Sequence, residues 1–381
     1  MIAARLPPGW MGHPIDHNIS PNRGQRAMGR LFGRSDVRDE PRHVSIAQAG
    51  KKFVAPGKDS ILNEALAAGV AFPHSCTVGT CGTCKAKLLS GKVREITDSA
   101  IALSSEELRD GYILACQSIA RRSLELDVAG MADLPDHPLK HLGAVVAAQT
   151  MLTHDIVQMT IELDDPLEFT AGQYVELKFD EFSGPRSYSF ADAPSRCDGR
   201  TLSFFVRHVP GGEFTDWLFG GDRSGERLTV TGPLGNLWLR PSDAPVLCVA
   251  GGSGLAPIKA ILEDAMDART ARSVVLVFGA RQQRDLYCQE QLDALAKGWN
   301  GTFDYQLVLS EEPPNSTWTG PRGLVTDVVA ALPMEFLQSC EVYTCGPPVM
   351  IDALEEAVMS VRSGSGFFHA DRFVTRRGGS G

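Results

Sequence analysis

Residues 246–258 read Val246-Leu247-Cys248-Val249-Ala250-Gly251-Gly252-Ser253-Gly254-Leu255-Ala256-Pro257-Ile258. Five apolar residues of strand character run straight into a glycine turn, and Pro257 suits the first turn of a helix. A buried strand, a glycine-rich turn and a helix start form the repeating unit of a parallel sheet covered on both faces. The glycines let the backbone approach a pyrophosphate, and the helix N-terminus, led by Gly251, Gly252, Ser253 and Gly254, offers amides and a positive dipole end. The stretch is not GxGxxG, so the common dinucleotide fingerprint does not apply directly. Taken alone, Gly251–Gly254 is a weak signal, and its weight comes from the residues on either side.

Toward the C-terminus the same grammar repeats. Strands are expected at 274–278, 305–309 and 342–344, and helices at 256–269, 286–297, 323–332 and 348–361. This alternation defines an α/β domain with a parallel sheet, over 242–375. Its last strand ends in Thr344-Cys345-Gly346-Pro347-Pro348, a tight loop at the carboxyl edge where open α/β sheets bind ligands. A nicotinamide fits there. Cys345 is read as touching it, with a buried core thiol as the alternative. Phe278-Gly279-Ala280-Arg281-Gln282 ends the second strand, where an adenine ribose is expected, and Arg281 and Arg284 are the nearby cations a 2′-phosphate would need. A tail, 376–381, follows.

Toward the N-terminus, residues 142–241 break into short strands with turns, the pattern of an antiparallel barrel. Within it lies Arg186-Ser187-Tyr188-Ser189. The two-residue period of a strand puts Arg186 and Tyr188 on one face. Arg186 can clamp a pyrophosphate, Tyr188 can stack on an isoalloxazine, and Ser189 can hydrogen-bond near its N5. Four residues alone would also suit an ordinary strand. Downstream, Gly211-Gly212-Glu213-Phe214-Thr215 opens a helix whose first amides, with Thr215, could receive phosphate oxygens.

Residues 44–130 carry the third signature. Cys76-x4-Cys81-x2-Cys84 is followed by Cys116 after a long gap, the spacing of a plant-type [2Fe–2S] site. Gly79 and Gly82 let the chain curl around such a cluster. A zinc site, the alternative, more often pairs two CxxC units, and only one is present. Residues 131–141 read as a linker. Glu106, Glu107 and Asp110 form an acidic helix face, either solvated or a docking patch. Residues 1–43 hold seven arginines and four acids with no hydrophobic period, and read as a flexible basic arm.

The 381 residues carry a formal charge of −9, with 43% hydrophobic and 22% charged residues. That balance speaks against nucleic acid as the main partner. No apolar run is long enough to span a membrane. Nine cysteines are too few and too unevenly spaced for a disulfide scaffold. A cytoplasmic location, with no membrane partner, is the expectation.

In this order, the cysteine loop, RSYS, GGSGLAP and CGPP resemble the NADH-dependent reductase components of bacterial multicomponent oxygenases. These include the reductases of benzoate and naphthalene dioxygenases, phenol hydroxylase and methane monooxygenase. The resemblance implies a β-grasp ferredoxin domain, an FAD-binding β-barrel and a nicotinamide-binding α/β domain of the ferredoxin–NADP reductase type. It implies that Cys76, Cys81, Cys84 and Cys116 ligate the cluster. Arg186, Ser187, Tyr188 and Ser189 would hold FAD, with help from Gly212, Phe214 and Thr215, and from His208 or Val206-Arg207 on the next barrel strand. Gly251–Gly254 would face the NADH pyrophosphate, with Arg281 by the ribose. Cys345, Gly346 and Pro347 would lie by the nicotinamide. Phe373 is similar to the near-terminal aromatic that covers the flavin, though it could be a packed tail residue. Tyr188, Ser189, Cys345 and Phe373 would thus flank the reacting rings. Electrons would pass from NADH, with NADPH less favoured, through FAD to the cluster and on to a separate terminal oxygenase of Rieske or diiron type. A P450 partner, a stand-alone reductase of a small acceptor and a redox sensor are the competing readings. A monomer is expected.

Overall fold

The computed structural model describes residues 41–74, 78, 79, 82–131, 135, 137–362 and 366–374. The arm up to residue 40, Cys76, Cys81 and the tail after 374 lie outside the described residues.

The N-terminal module is a five-stranded mixed sheet with a short helix across it. Its elements are β1 (Arg42–Ile46), β2 (Lys51–Ala55), α1 (Ile61–Ala67), β3 (Lys85–Ser90), β4 (Val93–Glu95), α2 (Ser105–Arg109), β5 (Tyr112–Leu114), β6 (Ser118–Ala120) and β7 (Leu124–Asp127). The sheet order is β2-β1-β7-β3-β5, and β1 and β7 run parallel. Alternation builds the core side: Val44 and Ile46, Phe53 and Ala55, and Leu124 and Leu126 are buried. Helix α1 starts where Ser60 accepts the Asn63 amide, as an N-cap hydroxyl does.

The second module is a barrel of β8 (Lys140–Met151), β9 (Ile156–Leu163), β10 (Tyr174–Lys178), β11 (Arg186–Ser189), β12 (Thr201–Arg207), α3 (Glu213–Phe219) and β13 (Arg227–Leu234). The order β11-β10-β13-β8-β9-β12 is antiparallel, and a bridge between Phe190 and Phe204 brings its two edges together. β8 starts inside the stretch read as a linker.

The third module contains β14 (Val246–Gly251), α4 (Leu255–Asp267), β15 (Val274–Ala280), α5 (Gln289–Gly298), β16 (Phe303–Leu309), α6 (Val325–Ala330), α7 (Met334–Ser339), β17 (Glu341–Gly346), α8 (Pro348–Met359) and β18 (Phe368–Arg372). The sheet is parallel throughout, in the order β16-β15-β14-β17-β18. Every residue of β14 is buried, as a central strand covered on both faces requires. Two helix starts fall later than the sequence reading. Gly323 at φ +116 keeps α6 from beginning before Val325, and a 3-10 turn over Gln283–Asp285 with Cys288 at φ +57 delays α5 to Gln289. The strand β18 escapes sequence analysis because all its residues are half-buried and show no alternation.

The barrel and the third module share a buried ionic weld. Lys259 of α4, 4% exposed, donates from Nζ to the carbonyl of Ala191 (3.0 Å) and to Asp192 (2.8 Å), and pairs with Glu263 at 2.8 Å. Glu263, 3% exposed, also meets Arg196 at 3.0 Å and accepts the Ala193 amide. Burial alone would push the Lys259 ammonium down, but Asp192 and Glu263 outweigh it and raise its pKa.

Candidate functional site

At the carboxyl edge of the parallel sheet, β14 ends in Gly251 and the chain turns through Gly252–Gly254 into α4. Gly252 sits at φ +56, the left-handed region that favours glycine. A Cβ on Gly254 would stand 2.2 Å from the Cys345 carbonyl oxygen. The two sequence motifs, some ninety residues apart, are thus pressed backbone to backbone. A cavity of about 280 Å³ opens beside them. Gly251, Gly252, Arg281 and Pro347 line it, together with Asp155, Arg207 and Val325. A cradle of glycine backbone at a helix start suits a pyrophosphate, so these residues fit a dinucleotide.

Cys345 is wholly enclosed, and burial drives its thiol pKa well above the usual value. It is absent from the cavity lining, so its side chain belongs to the core while its backbone shapes the loop. Phe373 packs on the same core, and its amide donates to the Gly346 carbonyl at 2.9 Å. The near-terminal aromatic and the Cys345-Gly346-Pro347 loop are therefore neighbours.

On the barrel, β11 pairs with β10 so that Tyr188 faces Val175 and Ser189 faces Tyr174. The Tyr188 ring packs 5.9 Å from Phe214, and Ser189 is 5% exposed. Burial raises the Tyr188 hydroxyl pKa, so it stays a neutral donor. Ser187 points outward. Three backbone carbonyls, of Ser183, Gly184 and Pro185, hold Arg186 Nη1 at 2.9–3.3 Å, which fixes the guanidinium before any ligand arrives. A pre-set cation, a half-buried ring and a buried hydroxyl in one strand fit a flavin.

Three of the residues read toward the flavin are otherwise engaged. Thr215 donates to the Val209 carbonyl (3.0 Å) and accepts the Val209 amide (3.1 Å), so its hydroxyl ties the Gly211-Gly212 turn to the end of β12. His208 bonds Asp216 at 2.7 Å and stacks on Phe219 at 4.8 Å. Val206 is fully buried in the barrel core, because the two-residue period turns it inward. The opposite face of β12 carries Phe205, in the core of the third module, and Arg207, in the dinucleotide cavity. Arg207, read with Val206 toward the flavin, thus lies in the dinucleotide cavity, on the opposite face of the strand from Val206.

At the cavity mouth Asp155 accepts from Arg281 at 2.7 Å and from Arg207 at 3.2 Å. Asp285 stands 3.7 Å from Arg281 and 3.4 Å from His154. Burial pushes the Asp155 carboxyl up, but the Thr153 hydroxyl and the charges of Arg207, His154 and Arg281 outweigh it and hold it below the usual range. His154, Asp155 and Asp285 lie close enough to share a metal ion. Two guanidinium groups already meet these carboxylates, so the cluster needs no such ion.

In the first module, Cys84 and Cys116 are buried, and the Cys116 amide donates to Cys84 Sγ at 3.5 Å. Gln117 Nε2 lies 3.7 Å from Cys116 Sγ. Gly79 and Gly82 adopt φ of +87 and +71. Sulfurs that receive N–H donors, in a loop curled by glycine, fit an anionic iron–sulfur cluster. Cys76 and Cys81, the other two expected ligands, lie outside the described residues. His74, just before the loop, is buried and meets Tyr174 of the barrel edge-on at 6.2 Å. Tyr174 is the register partner of Ser189. His74 therefore touches the barrel next to the expected flavin strand. Glu107 caps α2 with Ser104 and pairs with Lys85, so its part of the acidic face is structural.

Such a chain is an iron–sulfur flavoprotein oxidoreductase in three modules, and sequence profiles agree. The 2Fe-2S iron-sulfur cluster binding domain matches residues 44–121, the oxidoreductase FAD-binding domain 143–238 and the oxidoreductase NAD-binding domain 248–356. The xylene/toluene monooxygenase electron transfer component XylA of Pseudomonas putida is 46% identical over 87% of this chain and 94% of its own length. The reductase component of a naphthalene 1,2-dioxygenase system, also from Pseudomonas putida, is 35% identical over 80% of this chain and 90% of its own. Among solved structures, the cytochrome P450 reductase GcoB of Amycolatopsis superposes with a TM-score of 0.74 at 33% identity, covering 88% of this chain and 99% of its own. The ferredoxin reductase of carbazole 1,9a-dioxygenase gives 0.66 at 31%, covering 87% and 98%. The chain belongs to the family of NADH-dependent ferredoxin/FAD reductase components of multicomponent oxygenases. Its cofactors are a [2Fe–2S] cluster, FAD and NADH.

Proposed function

We propose that this chain feeds a terminal oxygenase of Rieske or diiron type that acts on an aromatic hydrocarbon. The observation that carries the reading is the sequence of sites along one chain: a dinucleotide cradle bordered by Arg207 of β12, a flavin strand in the same barrel, and His74, just before the cysteine loop, against that strand's register partner Tyr174. Bound FAD would supply the conversion between the two-electron chemistry of NADH and the one-electron chemistry of a [2Fe–2S] cluster. The protein positions and tunes. Arg186 and Tyr188 orient the isoalloxazine, and Ser189 offers a buried hydroxyl at its reactive edge. Gly251–Gly254 receive the pyrophosphate, and the Cys345-Gly346-Pro347 loop shapes the nicotinamide site. Phe373, tied to Gly346, excludes water from the rings. Cys76, Cys81, Cys84 and Cys116 ligate the cluster. No side chain serves as a general base.

NADH is favoured over NADPH because Arg281, a candidate partner for a 2′-phosphate, already meets Asp155 and Asp285. A cytoplasmic monomer is the expected state. Among the described residues no helix is long and apolar enough to cross a membrane. The match to a P450 reductase favours a second reading, in which the acceptor is a P450.

Cys84→Ser tests the path. NADH-driven ferricyanide reduction, which draws on the flavin, is expected to persist, while cytochrome c reduction collapses at least tenfold. Full rates with both acceptors would remove the cluster from the route and with it the oxygenase partner.

A further inference from the structure

We infer that Tyr287 is a positioning residue for NADH: its hydroxyl fixes the Gly252 peptide so that the amide of Ser253 faces the dinucleotide pyrophosphate. This rests on the reading that the glycine turn holds that pyrophosphate, and adds a residue that neither the motif nor the cavity lining contains.

The Tyr287 hydroxyl donates to the Gly252 carbonyl at 2.9 Å. That carbonyl also accepts the Leu255 amide across the turn. In a trans peptide, C=O and N–H point in opposite directions. A Gly252 carbonyl held toward the core therefore turns the Ser253 N–H away from it. The sign matters beside a diphosphate: an inward carbonyl would repel the anion, and an inward N–H attracts it. Gly252, at φ +56, has the backbone freedom to present either edge. Selection between the two needs an anchor, and Tyr287 supplies one.

The anchor is stiff. Tyr287 is 5% exposed. Its ring meets Phe205 of β12 edge-on at 5.4 Å and Phe278 of β15 edge-on at 5.6 Å. One clamp comes from the barrel and the other from the parallel sheet, so the hydroxyl position registers the packing of both modules. The next residue, Cys288, takes φ +57, which non-glycine residues rarely adopt. The chain tolerates that conformation where it turns from the buried ring into α5. A buried phenol has no other part in the chemistry above.

Tyr287→Phe keeps both ring contacts and deletes only the hydroxyl. With ferricyanide as acceptor, KM for NADH is expected to rise about five- to tenfold, the scale of one hydrogen bond, while kcat stays within twofold. Competitive inhibition by ADP-ribose, which carries the pyrophosphate, should weaken by the same factor, and inhibition by adenosine, which does not, should hold. An unchanged KM and unchanged ADP-ribose inhibition, or a fall in kcat at constant KM, would overturn the assignment. Deuterium uptake in the wild-type protein separates this from the underlying reading. ADP-ribose should slow exchange across residues 250–258. If it does not, the glycine turn is not the pyrophosphate site. If it does and Tyr287→Phe is silent, only Tyr287 loses its role.

Discussion

Gly254 shows how little room single residues leave here. Any side chain at this position would drive a Cβ to within 2.2 Å of the Cys345 carbonyl oxygen and 2.9 Å of the Gly346 nitrogen, both backbone atoms that cannot swing aside. Gly254→Ala is therefore expected to push the two ligand loops apart. Stopped-flow measurement of flavin bleaching by NADH should show at least a tenfold loss, with the bound FAD spectrum retained. His369 gives a second residue-scale prediction. Its ring stacks on Tyr343 at 4.8 Å, and its Nε2 is buried with no hydrogen-bond partner among the described residues. Burial, aided by Arg240, lowers its pKa to about 4. The unfolded chain takes up a proton near pH 6.5 and the folded one resists until about 4. Stability is thus fully present above 6.5, falls between those values and levels off below about 4. The loss amounts to roughly 3 kcal/mol. Denaturant titrations from pH 7 to 4 should show this slope, and His369→Phe should flatten it.

Among the elements, α4 does two jobs, opening on the glycine turn and carrying Lys259 and Glu263 into the barrel interface. Glu263→Ala leaves a buried ammonium short of one partner and the Ala193 amide without its acceptor. A cost of about 3–5 kcal/mol follows for a broken buried pair, measurable as a lower denaturation midpoint. The strand and helix order was legible because β14, β15 and β17 are apolar runs bounded by glycine or proline, and local pattern decides such elements. The cysteine loop and glycine turn were legible because their chemistry needs fixed spacing. What pattern could not reveal was partnership across the chain. Nothing near Thr215 or His208 announces that Val209 and Asp216 engage them, and nothing near Arg207 announces that Asp155, on a distant turn, holds it. Val206 and Arg207 needed the strand's phase, which only the barrel register sets.

For the molecule as a whole, its three modules are joined unequally. The barrel and the parallel sheet share the Lys259 weld, the Tyr287 clamp and the Asp155 bridge to Arg281. Between the first module and the barrel, the described residues give the edge-on meeting of His74 with Tyr174. That weld makes some cut points in a chimeric gene far better than others. A hybrid spliced near residue 241 would set Lys259 against a foreign barrel and strand its charge. One spliced between Val128 and Lys140 would carry the welded pair over intact, so an exchange of acceptor preference between relatives should be attempted by transplanting the iron–sulfur portion alone.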